Sequence, residues 1–145
     1  MTAKQDEREY TFLGMRNRVL AEDGAFGAVE ITVPPGSGPP PHTNTREALA
    51  YYGLEGMLSF MSGSGDRTLR PGDFISMPKG DTHTFVNRGD GAARALLIVS
   101  PAGFERFFAD ASKVLPAEAP AGPPSAEILT ALAEVGERYG MTLRV

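Results

Sequence analysis

The 145-residue sequence contains no cysteine and only two histidines. Without cysteine the chain cannot form disulfide bonds, thiolate metal sites or a cysteine nucleophile. Any catalytic or metal-binding chemistry must therefore come from the two imidazoles, together with carboxylates, amides and hydroxyls.

Clusters of positive charge are also missing. Fourteen Lys and Arg residues are scattered singly among eighteen Asp and Glu residues, which gives a net charge of −4 and a pI near 5.2. Phosphate backbones are bound by clustered Lys and Arg, so nucleic acid is not expected as a partner. The first ten residues, MTAKQDEREY, contain no apolar run, so we expect neither a signal peptide nor a membrane span there. The default expectation is a cytoplasmic protein.

Short strand-like segments dominate between residues 10 and 100. They are rich in β-branched and aromatic residues and are separated by turn signals, a pattern typical of a β-sandwich or barrel. Segment 34–41 holds five prolines and is too poor in N–H donors for a sheet, so it should be an extended approach to His42. The predicted strands are 10–13, 18–20, 26–33, 49–54, 57–61, 67–69, 74–77, 83–87 and 93–99.

The last third of the sequence favours helices. Segment 103–111 places three phenylalanines and an alanine on one helical face, which predicts a helix packed on the barrel as core or lid. Segment 116–124 is a connector rich in proline and alanine. Ser125 is a good N-cap and Gly140 a suitable stop for a terminal helix. We expect one domain: a barrel with its following helix over 1–115, the connector over 116–124, and a helix and tail over 125–145.

Two glycine-anchored motifs carry a family resemblance. Residues 72–87, GDFISMPKGDTHTFVN, fit G-x5-P-x-G-x2-H-x3-N, with His83 as the histidine. Residues 36–56 fit the frame of G-x5-H-x-H-x4-E-x6-G at both glycines and at His42, while Asn44 replaces the second histidine and Leu49 the glutamate. These are the two signatures of the cupin superfamily, and residues 10–140 resemble the small bacterial single-domain cupins labelled quercetin dioxygenase-like. The resemblance implies an all-β fold, a cupin jelly-roll β-barrel with C-terminal α-helices packed outside, and a homodimer.

The two substitutions fall on metal-ligand positions of the family. Cupins usually hold a divalent metal with three histidines and one glutamate, of which this chain keeps His42 and His83. Asn44 offers a weak neutral oxygen and Leu49 offers no ligand, so the metal site is expected to be degenerate and no cofactor is expected. The alternative is a divalent transition metal (Fe, Ni, Zn or Mn) bound by the two histidines with either Glu47 or water.

The alternation of strand side chains extends the site. Glu47 and Tyr51 share a face with Leu49, and Phe85 shares one with His83. Tyr51 and Phe85 also suit a core role, and for Glu47 we favour a solvated loop carboxylate over an inward-bending ligand. The predicted catalytic residues are His42, His83 and Tyr51; the predicted pocket-lining residues are Asn44, Glu47, Leu49 and Phe85.

Three functions remain open at this point, all with a small molecule as partner. The favoured one is a metal-independent enzyme of the cyclase, isomerase or dehydratase type, in which histidines perform acid-base chemistry on a hydrophobic or aromatic metabolite. The Ala-, Gly-, Pro- and Arg-rich composition resembles that of bacteria rich in secondary metabolism. The alternatives are a metal-dependent, dioxygenase-like cupin with an eroded site and a non-catalytic ligand-binding cupin.

Overall fold

The structure, a computed structural model, describes residues 8–144. That part of the chain forms eleven strands, two α-helices and one 3-10 turn. The strands are β1 (Glu9–Phe12), β2 (Met15–Ala21), β3 (Gly27–Val33), β4 (His42–Asn44), β5 (Ala48–Glu55), β6 (Leu58–Ser62), β7 (Gly65–Leu69), β8 (Phe74–Met77), β9 (Thr82–Val86), β10 (Ala93–Ser100) and β11 (Met141–Leu143). The helical segments are the 3-10 turn Phe104–Arg106, α1 (Phe107–Val114) and α2 (Ala126–Arg138).

The strands form two antiparallel sheets. One has the order β1-β2-β3-β10-β5-β8 and the other β11-β4-β9-β6-β7. Along β10 every second residue from Ala93 to Val99 is buried, the alternation expected where one sheet face packs on a core. The predicted all-β jelly-roll fold with C-terminal helices is confirmed.

The short strand β4 carries His42 and is held on both sides. It pairs with β9, which places His42 opposite His83, and it pairs with β11, which places Asn44 opposite Met141. Gly80 has a φ of +90° and donates its N–H to the Asn44 carbonyl (2.8 Å), which fastens the loop before β9 to the end of β4. The turn glycine of one signature therefore positions the histidine strand of the other.

The tail predicted after the terminal helix is instead strand β11. Its three residues are too few to show a strand period, and the pairing with β4 is what makes the segment extended. The preceding helix is as predicted, because the Ser125 hydroxyl accepts a hydrogen bond from the Ile128 N–H (3.2 Å) as an N-cap. Leu132 and Val135 of α2 then reach the main hydrophobic cluster.

The helical segment after β10 closes the barrel. Phe104, Phe107 and Phe108 are each at most 7% exposed, and the rings of Phe104 and Phe107 stack with centroids 5.0 Å apart. Burying one such side chain stabilises a fold by about 1.5–3 kcal/mol, so this closure is firmly held. Within residues 8–144 we find no helix that is long and apolar enough to cross a membrane.

Quaternary structure is the subject of a first prediction. Within the described residues β1 pairs with β2 alone, so the other edge of β1 leaves backbone groups open to a second copy. We propose a homodimer formed through the N-terminal strands, residues 10–20. Light scattering at micromolar concentration should give about twice the 15.4 kDa chain mass. A mass of one chain would contradict the proposal.

Candidate functional site

The two histidines meet inside the barrel. His42 and His83 are Cα partners on adjacent strands, and their ring centroids lie 4.3 Å apart with 55° between the ring planes. Their side chains are almost inaccessible, with 5% and 2% of each residue exposed. The structure therefore brings together the two imidazoles that the signatures singled out.

Hydrogen bonds fix the tautomer of each ring. His42 Nδ1 lies 3.0 Å from the Pro40 carbonyl oxygen, and His83 Nδ1 lies 3.3 Å from that of Asp81. Carbonyl oxygens only accept hydrogen bonds, so Nδ1 carries the proton in both neutral rings and Nε2 carries a lone pair. The Tyr51 hydroxyl donates to His83 Nε2 (3.3 Å). Among the described residues nothing donates to His42 Nε2, which leaves it as the uncommitted base of the site.

Burial keeps this group of side chains neutral. Loss of solvation lowers the pKa of His42 to about 3, repulsion from His83 adds to the effect, and the Pro40 carbonyl opposes it. Burial also lowers the pKa of His83, against the opposing influence of Asp81. Burial raises the pKa of Tyr51 above its ordinary value. At neutral pH the site thus contains two neutral imidazoles and a protonated phenol.

A second prediction follows for stability. Because the folded pKa of His42 lies below that of the unfolded chain, acid protonates the unfolded state first and the folded state loses stability as pH falls from about 7 toward 3. Between pH 7.5 and pH 5 the titration of this histidine alone should lower the free energy of unfolding by about 2 kcal/mol. Urea unfolding at the two pH values measures the loss.

His42→Gln is the control for that loss, since it removes the titrating ring. Its pH slope should be smaller than that of the native protein. The contribution of Glu47 to the pH dependence of stability is opposite to that of His42. Burial raises the pKa of the Glu47 carboxyl, so protonation of this group in acid favours the folded state. An unchanged slope in His42→Gln would contradict the prediction.

Beside the histidine pair lies a cavity of about 60 Å³. His42, Tyr51 and Phe85 contribute to its wall, as does Asn17 of β2. The rest of the wall is apolar and includes all three phenylalanines of the closing helical segment. No Lys, Arg, Asp or Glu among the described residues lines the cavity.

Several predicted pocket residues are buried without forming this wall. Asn44 and Leu49 are each 2% exposed but do not line the cavity, and His83 lies behind Tyr51. Both polar atoms of the Asn44 carboxamide are buried, and neither has a hydrogen-bond partner among the described residues. Four residues were predicted to line the pocket in addition to the catalytic ones, and of these only Phe85 lines the cavity.

The interpretation of Glu47 as a solvated loop carboxylate is wrong. Only 4% of the residue is exposed, and its Oε2 lies 2.8 Å from the point where a Cβ on Gly103 would sit. Burial raises the pKa of the Glu47 carboxyl, while a hydrogen bond with the Phe104 backbone lowers it. The carboxylate is buried because residue 47 shares its face with Leu49 and the 3-10 turn covers it.

The side chains present do not supply the family's four metal ligands. Within residues 8–144 no three His, Cys, Asp or Glu side chains are grouped so that they could hold a metal ion. One imidazole nitrogen, His83 Nε2, already accepts from Tyr51, and Leu49 offers no donor at the carboxylate position. Two imidazoles without a third grouped ligand offer a transition metal fewer donors than the four that the family usually supplies.

Sequence reasoning missed Asn17 and the phenylalanine wall. Along the run Met15-Arg16-Asn17-Arg18-Val19 more buried and less buried residues alternate, and Asn17 takes an inward position between two buried apolar residues. The two-residue spacing of Asn17 from Met15 and Val19 was the available signal. The predicted strands 10–13 and 18–20 did not include it.

Comparisons with known proteins agree with this architecture. A family profile described as "Cupin domain" matches residues 29–99. No curated protein sequence matches the chain.

Three solved structures illustrate the similarity. A sugar phosphate isomerase of the cupin superfamily from Silicibacter pomeroyi is 25% identical with a TM-score of 0.57, over 62% of this chain and 61% of its own. KdgF from Halomonas sp. is 23% identical with a TM-score of 0.57, over 61% and 79%. A cupin 2 conserved barrel domain protein from Rhodopseudomonas palustris is 18% identical with a TM-score of 0.57, over 63% and 64%. The family match makes residues 29–99 a cupin domain, and the chain is a small single-domain cupin.

Proposed function

We propose that this cupin is a metal-independent enzyme that binds a small hydrophobic molecule in its cavity and moves a proton on it. The observation that carries the proposal is the uncommitted Nε2 of neutral His42 on the wall of a largely apolar cavity. Tyr51 lines the same cavity and is oriented by His83. A base and a hydroxyl donor at one end of an apolar cavity are suited to isomerisation, cyclisation or dehydration.

The proton transfer needs no group beyond these side chains. His42 Nε2 takes a proton from an acidic C–H or O–H of the ligand and leaves the electron pair on the ligand. The Tyr51 hydroxyl turns from His83 Nε2 to the ligand and gives its proton to a second ligand atom, and the proton on His42 returns to the Tyr51 oxygen before the next turnover. If the second atom is the oxygen of a leaving hydroxyl, water departs and the same steps achieve dehydration.

The low basicity of His42 restricts when this transfer can occur. A pKa of about 3 in the empty cavity means that the ring resists protonation at neutral pH. A negative charge that develops on the ligand beside the ring favours the imidazolium and raises its pKa. The base therefore acts only on a ligand that can hold such a charge, for example on an oxygen conjugated to the reacting carbon.

The cavity wall indicates the class of ligand. Phosphate and carboxylate ligands are held by Lys or Arg, and none of these residues lines the cavity among the described ones. A sugar phosphate, the substrate class named for the Silicibacter protein, therefore suits this chain poorly. A hydrophobic or aromatic metabolite suits it better, and we place it in bacterial secondary metabolism.

The closed cavity is smaller than an aromatic ring requires. An engineered cavity of about 150 Å³ binds benzene, whereas this one is about 60 Å³. An aromatic ligand would have to displace the side chains of Phe104, Phe107 and Phe108, which form one wall. We therefore propose that the helical segment carrying them shifts when the ligand enters, and that burial of the apolar ligand offsets the contacts these rings give up.

Non-catalytic ligand binding is the second candidate function. The depressed pKa of His42 favours it, because a ring that stays neutral serves as a hydrogen-bond acceptor without ever acting as a base. The two candidates differ only in whether a bound molecule is changed.

The ligand that the protein retains tests the proposal. Mass spectrometry of native protein should show a small uncharged adduct, and incubation should convert that compound to a product of equal mass or to one lighter by a water molecule. A chelator should leave the rate unchanged. Loss of turnover with chelator would contradict metal independence, an unaltered ligand would indicate binding alone, and a phosphorylated ligand would contradict the substrate class.

A further inference from the structure

Asn17 is a polar residue at the cavity that the proposed chemistry does not use. It projects from β2 into the cavity wall, and only 2% of the residue is exposed. Its Nδ2 donates to the Tyr10 carbonyl (3.1 Å) and to the Met15 carbonyl (3.3 Å). Carbonyl oxygens cannot donate, so these two bonds fix which end of the carboxamide is the NH2 group.

The other end of this carboxamide is available to a ligand. Among the described residues no donor reaches Asn17 Oδ1, and this atom is not among those sealed from solvent, unlike the two polar atoms of Asn44. Asn87 provides a contrast, since it also gives Nδ2 to two backbone carbonyls, those of Val33 and Gly91. Its Oδ1 accepts a hydrogen bond from the Gly89 N–H (2.9 Å), so both ends of the Asn87 carboxamide have partners without a ligand.

Asn17 also lies on a different strand of the cavity wall from the proton-transfer groups. Its strand β2 lies three strand positions from β5, which carries Tyr51. At the usual spacing between neighbouring strands this is about 14 Å of sheet. The cavity therefore has one polar group on the β2 side and two, His42 and Tyr51, on the other, with apolar wall between them.

From this arrangement we infer that Asn17 is a specificity-determining residue, which selects ligands that carry a hydroxyl or N–H donor on the end remote from the reacting group. The inference rests on the proposed function, because it assigns an orientation to the ligand of that same cavity. A ligand that fills the cavity excludes water from Oδ1, and an acceptor left there without a donor is costly, so a ligand that satisfies Oδ1 is favoured over one of equal shape that does not. Asn17 would position the ligand and take no part in the proton transfer.

Phenol and toluene form a suitable pair of probes, since they share a shape and differ by the hydroxyl donor. A purely apolar cavity prefers toluene, because burying an unpaired hydroxyl is unfavourable. Native protein should bind phenol at least fivefold more tightly than toluene. NMR titration of the methyl groups of Met15 and Met141, which line the cavity, gives both dissociation constants and shows where the probes bind.

Asn17→Leu removes this acceptor and should reduce the preference for phenol several-fold, while His42 Nε2 remains as the other acceptor on the cavity wall. Asn87→Leu is the matched control, because it loses two equivalent bonds to carbonyls away from the cavity and should keep the native preference. A merely structural role of Asn17 would lower the unfolding temperature without changing the ratio of the two affinities. If Asn17→Leu does not fold, Asn17→Asp keeps an acceptor oxygen and should still prefer phenol.

The outcomes separate the inference from the proposed function. A preference for phenol that is unchanged in Asn17→Leu, or equal affinities in native protein, would overturn the role of Asn17 and leave the ligand cavity standing. A preference lost in Asn17→Asp would overturn that role as well. If neither probe shifts the methyl signals of native protein, the ligand cavity itself is refuted, and the inference with it.

Discussion

Asn44→His combined with Leu49→Glu should tighten transition-metal binding by several orders of magnitude. The double variant would place a third imidazole and a carboxylate at the family's ligand positions, beside His42 and His83. Such a set suits divalent iron, nickel, manganese or zinc. Each tenfold gain in affinity corresponds to about 1.4 kcal/mol, which a new metal-ligand bond readily exceeds. Isothermal titration with each metal measures the gain.

The same variant should depend on metal for its stability. The residue at position 49 is buried among apolar side chains, so a glutamate there is costly until a cation neutralises it. The unfolding temperature should fall without metal and recover when metal is added, as expected for a ligand that binds only the folded state. Native protein should show little response.

Asn44→His combined with Leu49→Gln is the control for the metal experiment. It supplies the same imidazole without the carboxylate charge, and its affinity should fall between those of native protein and the double variant. Stoichiometric binding of a transition metal by native protein at submicromolar affinity would show that positions 44 and 49 are not vacated ligand positions. The same conclusion would follow if the double variant gained no affinity.

Replacing either histidine by alanine should reduce turnover of the retained metabolite by about 10²- to 10⁴-fold. In His42→Ala the base that faces the cavity is lost. In His83→Ala the Tyr51 hydroxyl loses the acceptor that orients it. Initial rates at saturating and limiting substrate separate effects on kcat from effects on KM.

Tyr51→Phe is the informative companion to the histidine variants. It removes only the hydroxyl, so it should lower kcat while the ligand still binds. Circular dichroism should show that each variant keeps the native fold. If both histidine variants turn over the metabolite at the native rate, the cavity serves binding alone.

The sequence predicted that the two histidines meet, because short motifs determine their positions. His42 and His83 occupy fixed places in two glycine-anchored frames, and the frames correspond to strands that pair across one ladder. Parity along β5 likewise placed Tyr51 on the inner face, where its hydroxyl reaches His83. Local spacing was sufficient here because each residue sits on a strand whose register the fold fixes.

Other parts of the site depend on segments that are distant in sequence. Glu47 is buried because the 3-10 turn that begins at Phe104 covers it. The sequence around residue 47 does not predict which distant segment packs over it. The phenylalanines of that turn and of α1 were predicted as core or lid, but their place on the cavity wall follows from how the helix seats on the barrel. Strand β11 exists only through its pairing with β4.

The pairing of β11 with β4 also guides how the protein should be handled. The strand that presents His42 is three residues long and has β9 and β11 as its two neighbours, so the final residues of the described chain support the site directly. Met141 even contributes to the cavity wall. An affinity tag or a fusion partner directly after β11 is therefore best avoided, and shortening the chain after α2 would remove half of the hydrogen-bonded support of the histidine strand.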